Sequence, residues 1–476
     1  MKLKKAKIAI IGGGVAGTTT ALYFGRLGLD VTLFEKESTF IGGPPFCHLH
    51  AGGNLYREIS DKQCIKLLKQ SIDFLQFYPF IVDYRPTVIA LPKSDASTPK
   101  SLLPRLELLK LEYQKLIEKS KKNKVLGESK DYYQLYTKED MELLKKSKSV
   151  EQPQSADEWM IPVAKNINLD KVQFPLILVQ EYGLNLFRLS SGVSLLLKKL
   201  KNVDLKTDTI VHNIQKDVLK DKWELSYLYK DNSYKKKFDY LINATGFRTG
   251  KIDDMLGVPC KRMVEFKSAY VSQWKNQEAT PFPEIIFHGE RGTPQGMGQF
   301  TPYPNGYFQL HGMTNDITLY KDGLVANSIV SCQPYLNKDF IEKIDKAWNR
   351  DEVKIRTTNA INHLSQFIPE FKTATVGSKP LFGAQQIPGD DPTLRVAEVS
   401  FPCQNYARCE IVKVSSVIDM VKSIAQVFIE LGYLNRDKKL IELEDLKEIE
   451  IQKNAEAIAL SRDYPRSLAN RTVLKL

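Results

Sequence analysis

Gly12, Gly14 and Gly17 stand at G-x-G-x-x-G spacing, and an acid, Glu35, follows eighteen positions after the last of them. Residues of these types at this spacing hold a dinucleotide. The first glycine permits a tight turn, the second lets a pyrophosphate approach the backbone, and the third lets a helix pack closely on the preceding strand. Val15 and Ala16 open that helix, whose amino terminus then points at the phosphates. Glu35, with Lys36 beside it, is placed to accept ribose hydroxyls. A second group lies in FCHLH, residues 46–50, where His48 and His50 alternate and so face one side of an extended segment. Three readings of the pair stay open: service to a bound cofactor, hydrogen-bonded structural histidines, or a metal site with Cys47. The last lacks a second ligand cluster elsewhere in the sequence.

These residues need elements to position them. Residues 8–11 form a continuous apolar run ending in glycine, as a strand buried on both faces should. Residues 18–27 continue as a helix with small residues on its sheet-facing side, Gly28 ends it, and 31–34 read as a second strand. The pattern resumes between Gly183 and Gly246. Residues 190–200 look helical, VDLKTDTIVHNIQKD is strand-like, WELSYLYK alternates, and FDYLINATGF is a buried strand ending in a glycine turn. From 257 to about 376 strands and prolines mix with a helix near 338–349. LRVAEVSF, residues 394–401, reads as another buried strand, and 415–431 as an apolar-faced helix. Lysine and glutamate dominate 93–149, where RLELLKLEYQKLIEKSKK is an amphipathic helix with a solvated outer face in an inserted domain.

A chain of 476 residues has room for two or three domains, and 42% hydrophobic with 26% charged residues is the balance of a soluble globular protein. No apolar run approaches the length of a membrane span, and the first strand begins too early for a signal peptide, so a cytoplasmic setting is expected. Six cysteines without a C-x-x-C pair imply reduced thiols. The net charge of +12 is spread over many segments and reads as solvated surface, with docking on the inner face of an anionic membrane as a second reading. Nucleic acid is not an expected partner, because no basic patch is interleaved with aromatics.

Taken in order, these pieces resemble the D-amino-acid oxidase superfamily of FAD-dependent oxidoreductases, and within it the malate:quinone oxidoreductase and hydroxy-acid dehydrogenase branches. The resemblance implies an α/β fold with FAD as cofactor. A Rossmann-like FAD-binding domain of the glutathione-reductase type would be assembled from residues 1–90, 175–250 and 376–440. An α+β substrate domain with a mainly antiparallel sheet would come from 91–174 and 251–375, and 441–476 would form a C-terminal helical extension. NATGF resembles the turn that passes the FAD phosphates and adenosine, which implicates Ala244, Thr245 and Gly246. TDTIVHNI resembles the strand whose backbone meets the adenine, here at Val211. GGPPFCHLHAGGNLY sits where the family places a loop against the isoalloxazine, implicating Gly43, His50 and Ala51, with His48 or His50 as base, ligand or covalent attachment point. FTPYPNGYFQLHGMT resembles the strand that roofs the substrate pocket, although His311 stands where a second glycine is common. PCQNYARCEIVKVSS takes the place of the loop facing the flavin pyrimidine, implicating Arg408 and Val414, but it lacks that loop's glycines. The candidate second nucleotide motif, GTPQGMGQF, has neither a strand before it nor a helix after it, so FAD alone is expected.

Hydride transfer from a carbon bearing OH or NH2 requires a cation for the substrate carboxylate and an acceptor for the heteroatom proton. Arg408 is the leading cation, with Arg248 and Arg291 next; each can instead be an ion-pair partner, Arg408 with Glu410 and Arg291 beside Glu290. His311 is either the base or a buried hydrogen-bonded histidine. Gln299, Tyr303 and Tyr307 line the pocket or belong to the core. The helix starting near Ser415 would stabilise negative charge on reduced flavin. The activity implied is a dehydrogenase or oxidase of a small carboxylic acid bearing an α-hydroxyl or α-amino group, with quinone or O2 as acceptor. A flavin monooxygenase and a non-catalytic flavoprotein subunit are the alternatives.

Overall fold

Ile8 and Ile10 of the first strand, Lys7–Ile11, point into one core, while Ala9 and Ile11 point into another. The computed structural model describes residues 3–42, 59–217, 219–275 and 280–473. The first strand is central in a sheet of order Val399–Ser400, Tyr406–Cys409, Tyr240–Asn243, Lys7–Ile11, Asp30–Phe34, Val203–Lys206. All its pairings are parallel except the edge pair of Val399–Ser400 with Tyr406–Cys409. Helices Val15–Arg26, Leu186–Lys198 and Val417–Glu430 share one core with Ile8, Ile10 and Leu33, through Phe24, Leu197 and Phe428. In the other core, Trp223, Leu225 and Phe238 pack on Ala9, Ile11 and Phe34. Those three come from an antiparallel sheet of Thr209–Asp217, Lys222–Tyr229 and Asn232–Phe238. Burial on both sides explains the unbroken apolar run at residues 8–11.

A second, larger sheet is mainly antiparallel. It runs Leu324–Ala326, Arg262–Gln273, Tyr307–Gly312, Gly298–Tyr303, Glu284–Phe287, Thr87–Ala90, Leu176–Val179, Tyr133–Tyr136, with Leu381–Pro388 and Thr375–Val376 also paired to the long strand Arg262–Gln273. Thr87–Ala90 and Glu284–Phe287 form its one parallel pair among the described residues. Tyr270, Phe287, Phe300 and Leu310 lie under helix Arg350–Ser365, against Ala360, Ile361 and Leu364. Ala269, Val271 and Leu381 face the other way, against Phe187 of the nucleotide half and Ala455 and Ile458 of helix Glu448–Ser461. The pleat therefore turns Glu265, Lys267, Gln309 and His311 toward the nucleotide half.

Several boundaries differ from the sequence reading. Thr87–Ala90, Leu176–Val179 and Leu381–Pro388 fall inside the expected FAD-binding segments, yet all three belong to the second sheet. An apolar run reveals a strand but not the sheet that recruits it. Only Val399–Ser400 of residues 394–401 is a strand, and it is half-buried at an edge. The buried parallel strand is Tyr406–Cys409 instead. Near residue 338 the helix stops at Asp345, and a second, Arg350–Ser365, follows. Helix Leu103–Lys119 buries Leu106, Leu109 and Tyr113 in the same core as Leu67 and Leu68 of helix Asp61–Phe77, so the charged stretch is anchored on the nucleotide half. Among the described residues, no helix is long and apolar enough to cross a membrane.

The C-terminal helix is fastened from below. Arg188 is fully buried and donates to both carboxylate oxygens of Glu448 at 2.7 Å, to Gln452 Oε1 at 2.8 Å and to the Phe80 carbonyl at 2.9 Å. Further on, Asp83 accepts from Thr472 N at 3.0 Å and Thr472 Oγ1 at 2.8 Å. Arg188→Ala should lower the unfolding free energy by about 1–3 kcal/mol: the buried guanidinium's volume and its bonds to Glu448 and Gln452 are lost, while Arg471 still donates to the Phe80 carbonyl and the half-exposed Glu448 recovers water. A urea midpoint checks the loss, and limited trypsin digestion should release the segment after residue 441 early. Arg188→Lys should restore little, since one ammonium cannot span three acceptors.

Candidate active site

The three glycines divide their work. Gly12 has φ +101°, and a Cβ there would lie 2.5 Å from the Ala244 carbonyl oxygen and 2.9 Å from Thr245 Cα. A Cβ on Gly17 would lie 1.8 Å from the Gly12 oxygen, whereas one on Gly14 meets nothing within 4 Å. The first and third glycines thus pack strand, helix and the Ala244–Thr245–Gly246 turn together, and the second leaves open space. Val15 begins the helix and Ala16 is buried behind it; no side chain caps this amino terminus, so its first amides face that space. Glu35 closes the turn from the second strand. Its Oε2 accepts from Gly13 N at 2.5 Å and its Oε1 from Glu37 N at 2.8 Å. Burial pushes its carboxyl above the usual range, and the amides of Glu37 and Gly13 pull it back. Thr245 Oγ1 donates to Asn243 Oδ1 at 2.8 Å, and Val211 packs half-buried against the core beneath Phe34. An open glycine, an uncapped helix terminus and a half-buried acid fit the pyrophosphate and ribose of FAD.

Lys36 and Arg248 flank this space but are engaged elsewhere. Asp345, from the helix Lys338–Asp345 covering the second sheet, accepts from Lys36 Nζ at 3.1 Å and from Arg248 Nη2 at 2.7 and 2.8 Å. One carboxylate of one half therefore ties together the residues after Glu35 and after Gly246 in the other.

Arg408 does not stand in a loop. It lies within strand Tyr406–Cys409, buried, with Nε 2.9 Å from Glu410 Oε1 and Nη1 3.3 Å from Asp253 Oδ2. Arg262 adds a second guanidinium, 3.8 Å from Asp253 and 3.5 Å from Glu410, and Tyr406 OH donates to Asp253 at 2.6 Å. Two cations facing two anions make a closed cluster, and burial next to the acids is why a charged residue can sit in a sheet strand. Val414 opens the turn Val414–Ser416 that leads into helix Val417–Glu430, close to the start expected from sequence. Gly43, Cys47, His48, His50 and Ala51 lie outside the described residues.

The inward face of the second sheet carries the remaining chemistry. His311 is buried with Nε2 3.0 Å from the Gln309 amide nitrogen; the amide donates, so Nε2 is the unprotonated nitrogen. Tyr303 OH donates to Gln309 Oε1 at 3.2 Å, which orients that amide. Gln299 donates to Glu284 at 2.6 Å, and Glu284 pairs with Arg85 at 2.6 Å. Lys267 and Glu265 were not anticipated. Lys267 Nζ lies 2.7 Å from Glu265 and donates to Gln385 Oε1 at 3.0 Å, while the half-exposed Arg291 bonds the other Glu265 oxygen. Burial lowers Lys267 to about 8, against the pull of Glu265 and with help from Arg291 and Arg395. The signal was present in MVEFKSAYV, where two charges alternate on one face of an otherwise apolar strand. Arg462 is a second unanticipated residue: it donates to Thr39 Oγ1, Phe40 O and Ile41 O at 2.9–3.0 Å, securing the stretch beyond Glu35. Among the described residues no group of three His, Cys, Asp or Glu could hold a metal.

A family model described as FAD dependent oxidoreductase matches residues 7–375. No curated protein matches the chain. Among solved structures, the chain is similar to L-alpha-glycerophosphate oxidase from Mycoplasma pneumoniae with FAD bound (TM-score 0.59, 14% identity, 94% of this chain and 100% of that one). It is similar also to the glycerol-3-phosphate dehydrogenase from Bacillus halodurans complexed with FAD (0.56, 12%, 97% and 74%). A third is glycine oxidase from Geobacillus kaustophilus (0.54, 12%, 93% and 100%). At these identities the likeness is one of fold.

The glycine geometry separates folding from cofactor binding. Gly14→Val should melt close to the parent apoprotein yet purify without flavin absorbance, because its side chain enters only the ligand space. Gly17→Ala should lose stability by about 1–3 kcal/mol or more, since the methyl meets a backbone oxygen that cannot yield. Thermal melts and the ratio of flavin to protein absorbance distinguish the two.

Proposed function

The chain belongs to the family of FAD-dependent oxidoreductases, and from that premise we propose that it oxidises a small carboxylic acid bearing an α-hydroxyl or α-amino group. The enzyme binds FAD, which when bound supplies a hydride acceptor at N5. The observation that carries the substrate reading is a local excess of positive charge at Glu265, which Lys267 on the inward face of the second sheet shares with the half-exposed Arg291 from the loop between Glu284–Phe287 and Gly298–Tyr303. Lys267 spends two donors on Glu265 and Gln385 and keeps a third for a substrate carboxylate. This reading puts the carboxylate on Lys267 and Arg291 rather than on Arg408, whose charge is matched by Asp253 and Glu410. His311 is its base: Nε2 carries no proton, and taking one from the substrate's hydroxyl or amine replaces the hydrogen bond from Gln309. The helix Val417–Glu430 lends its positive end to charge on the reduced cofactor. His48 and His50 stay proposed as flavin contacts, either of them a candidate attachment point.

Hydroxy acids, the substrates implied by the malate:quinone and hydroxy-acid dehydrogenase branches, form one arm of this proposal and amino acids the other. Electrons would pass to a quinone or O2, in the cytoplasm or at the inner face of a membrane. The test is anaerobic: mix the yellow holoenzyme with a panel of both acid classes and follow loss of flavin absorbance. Bleaching by one class identifies it, and bleaching by NADPH alone would favour a monooxygenase instead.

Lys267 adds a signed pH dependence. Its ammonium exists below about 8 in the free enzyme, with Glu265, Arg291 and Arg395 as the charges around it. The substrate concentration for half-maximal flavin reduction should therefore be low below that pH and rise about tenfold per unit above it. Lys267→Met should bind about 10- to 100-fold more weakly below pH 8 and show no break there. A flat profile in the parent enzyme would remove Lys267 from the binding role.

A further inference from the structure

Two cysteines outside this site lie in contact. Cys260 just precedes the long strand, and Cys332 lies 72 positions further along the chain. The Cys260 amide donates to Cys332 Sγ at 3.1 Å, and Cys332 Sγ donates to the Val258 carbonyl at 3.2 Å. Arg262 Nε donates to Cys260 Sγ at 3.2 Å. The two sulfurs are unlike. Cys260 is half-buried; its Sγ accepts from the Arg262 guanidinium and donates to the Cys332 carbonyl at 3.7 Å. Cys332 is buried; burial and the adjoining Cys260 thiol push it up to about 12, so it stays protonated. A half-buried cysteine beside a cation, with its amide and its sulfur each bonded to a buried, protonated cysteine, is placed as an attacking thiol with its resolving partner.

We propose that Cys260 and Cys332 are a peroxide-responsive dithiol that closes reversibly to a disulfide across the base of the nucleotide-binding turn. The Cys260 thiol gives up its proton, its sulfur attacks one oxygen of hydrogen peroxide and the O–O bond breaks. The departing hydroxide takes up a proton as water, leaving Cys260 as the sulfenic acid. Cys332 sulfur then attacks the Cys260 sulfur, the S–S bond forms and the S–O bond breaks. The Cys332 proton leaves with that hydroxide as a second water. Two thiols are oxidised and one peroxide is reduced to two waters.

The position gives the bond a consequence. Cys332 belongs to a segment already seated on helix Thr249–Leu256, which follows the Ala244–Gly246 turn. Asp254 accepts from Cys332 N and Ser331 Oγ, each at 2.6 Å, and Gln333 Nε2 donates to the Phe247 carbonyl at 3.0 Å. Gly250 lies so near that a Cβ would fall 2.2 Å from the Cys332 oxygen. A covalent tie there makes this contact permanent and stiffens the turn that carries the nucleotide, so FAD should leave more slowly.

The experiment adds one equivalent of hydrogen peroxide to holoenzyme, which makes it independent of the enzyme's substrate and electron acceptor. After alkylation and digestion, the peptides of Cys260 and Cys332 should appear cross-linked and two hydrogens lighter, and dithiothreitol should reverse this. FAD release in mild urea should slow several-fold in the oxidised protein. Cys332→Ala should leave Cys260 trappable by dimedone and abolish the slowing, whereas Cys260→Ser should leave Cys332 unreacted. Two thiols that still alkylate after peroxide, or Cys332 reacting in Cys260→Ser, would overturn the dithiol. A disulfide formed without any change in FAD release would overturn its link to the turn.

Discussion

The nucleotide half depends on one close approach of backbone to backbone. The Gly12 carbonyl occupies the place where a side chain at position 17 would begin, and the Ala244 carbonyl crowds the other side of Gly12. A helix, a strand and a turn from a distant part of the chain therefore meet within van der Waals contact, with no side chain between them. That contact sets the direction of the helix axis and hence where its unpaired amides point. Glu35 bonds to the amide of Gly13, so the acid inherits its position from the same turn. A methyl group at either glycine would displace all of these together.

The second sheet obeys a different constraint. One face is aromatic and aliphatic, under Arg350–Ser365, and the other buries charge toward the nucleotide half. Buried charge is tolerable only when paired, and the two pairings differ in kind. Arg85 lies between Glu284 and Asp83 with all three fully enclosed, and Gln299 fills the remaining oxygen of Glu284. Glu265 holds Lys267 inside and Arg291 at the surface, where Arg291 is 42% exposed. The first cluster is enclosed and joins the segment before Thr87–Ala90 to strands Glu284–Phe287 and Gly298–Tyr303. The second has a partner that can swing away, which suits a place where a ligand's charge arrives and departs.

What could be read from the sequence was what local spacing enforces. The glycine turn, Glu35 and the apolar strand at residues 8–11 each follow from chemistry within a few positions of themselves. So does the amphipathic helix at 103–119, whose buried Leu106, Leu109 and Tyr113 keep helical spacing. What escaped depends on partners far along the chain. Arg408 hid a sheet strand because a charge in YARC breaks the apolar pattern, and only Asp253, 155 positions away, explains how it is tolerated. The strands at 87–90 and 176–179 are as apolar as those of the first sheet, and pairing alone assigns them. Lys36 and Arg248 read as cofactor or substrate contacts until Asp345 is found between them.

Arg462 reaches back 421 positions to hold the Ile41 carbonyl, and strand Tyr406–Cys409 completes a sheet whose central strand begins at Lys7. Translation therefore delivers the glycine turn well before its fastenings. From its own synthesis until Tyr406–Cys409 emerges, the strand Tyr240–Asn243 has an open edge, the kind of edge that invites pairing with another chain. Completion of the nucleotide half thus waits for segments made long after its glycine turn, and that edge stays open to its neighbours until they arrive.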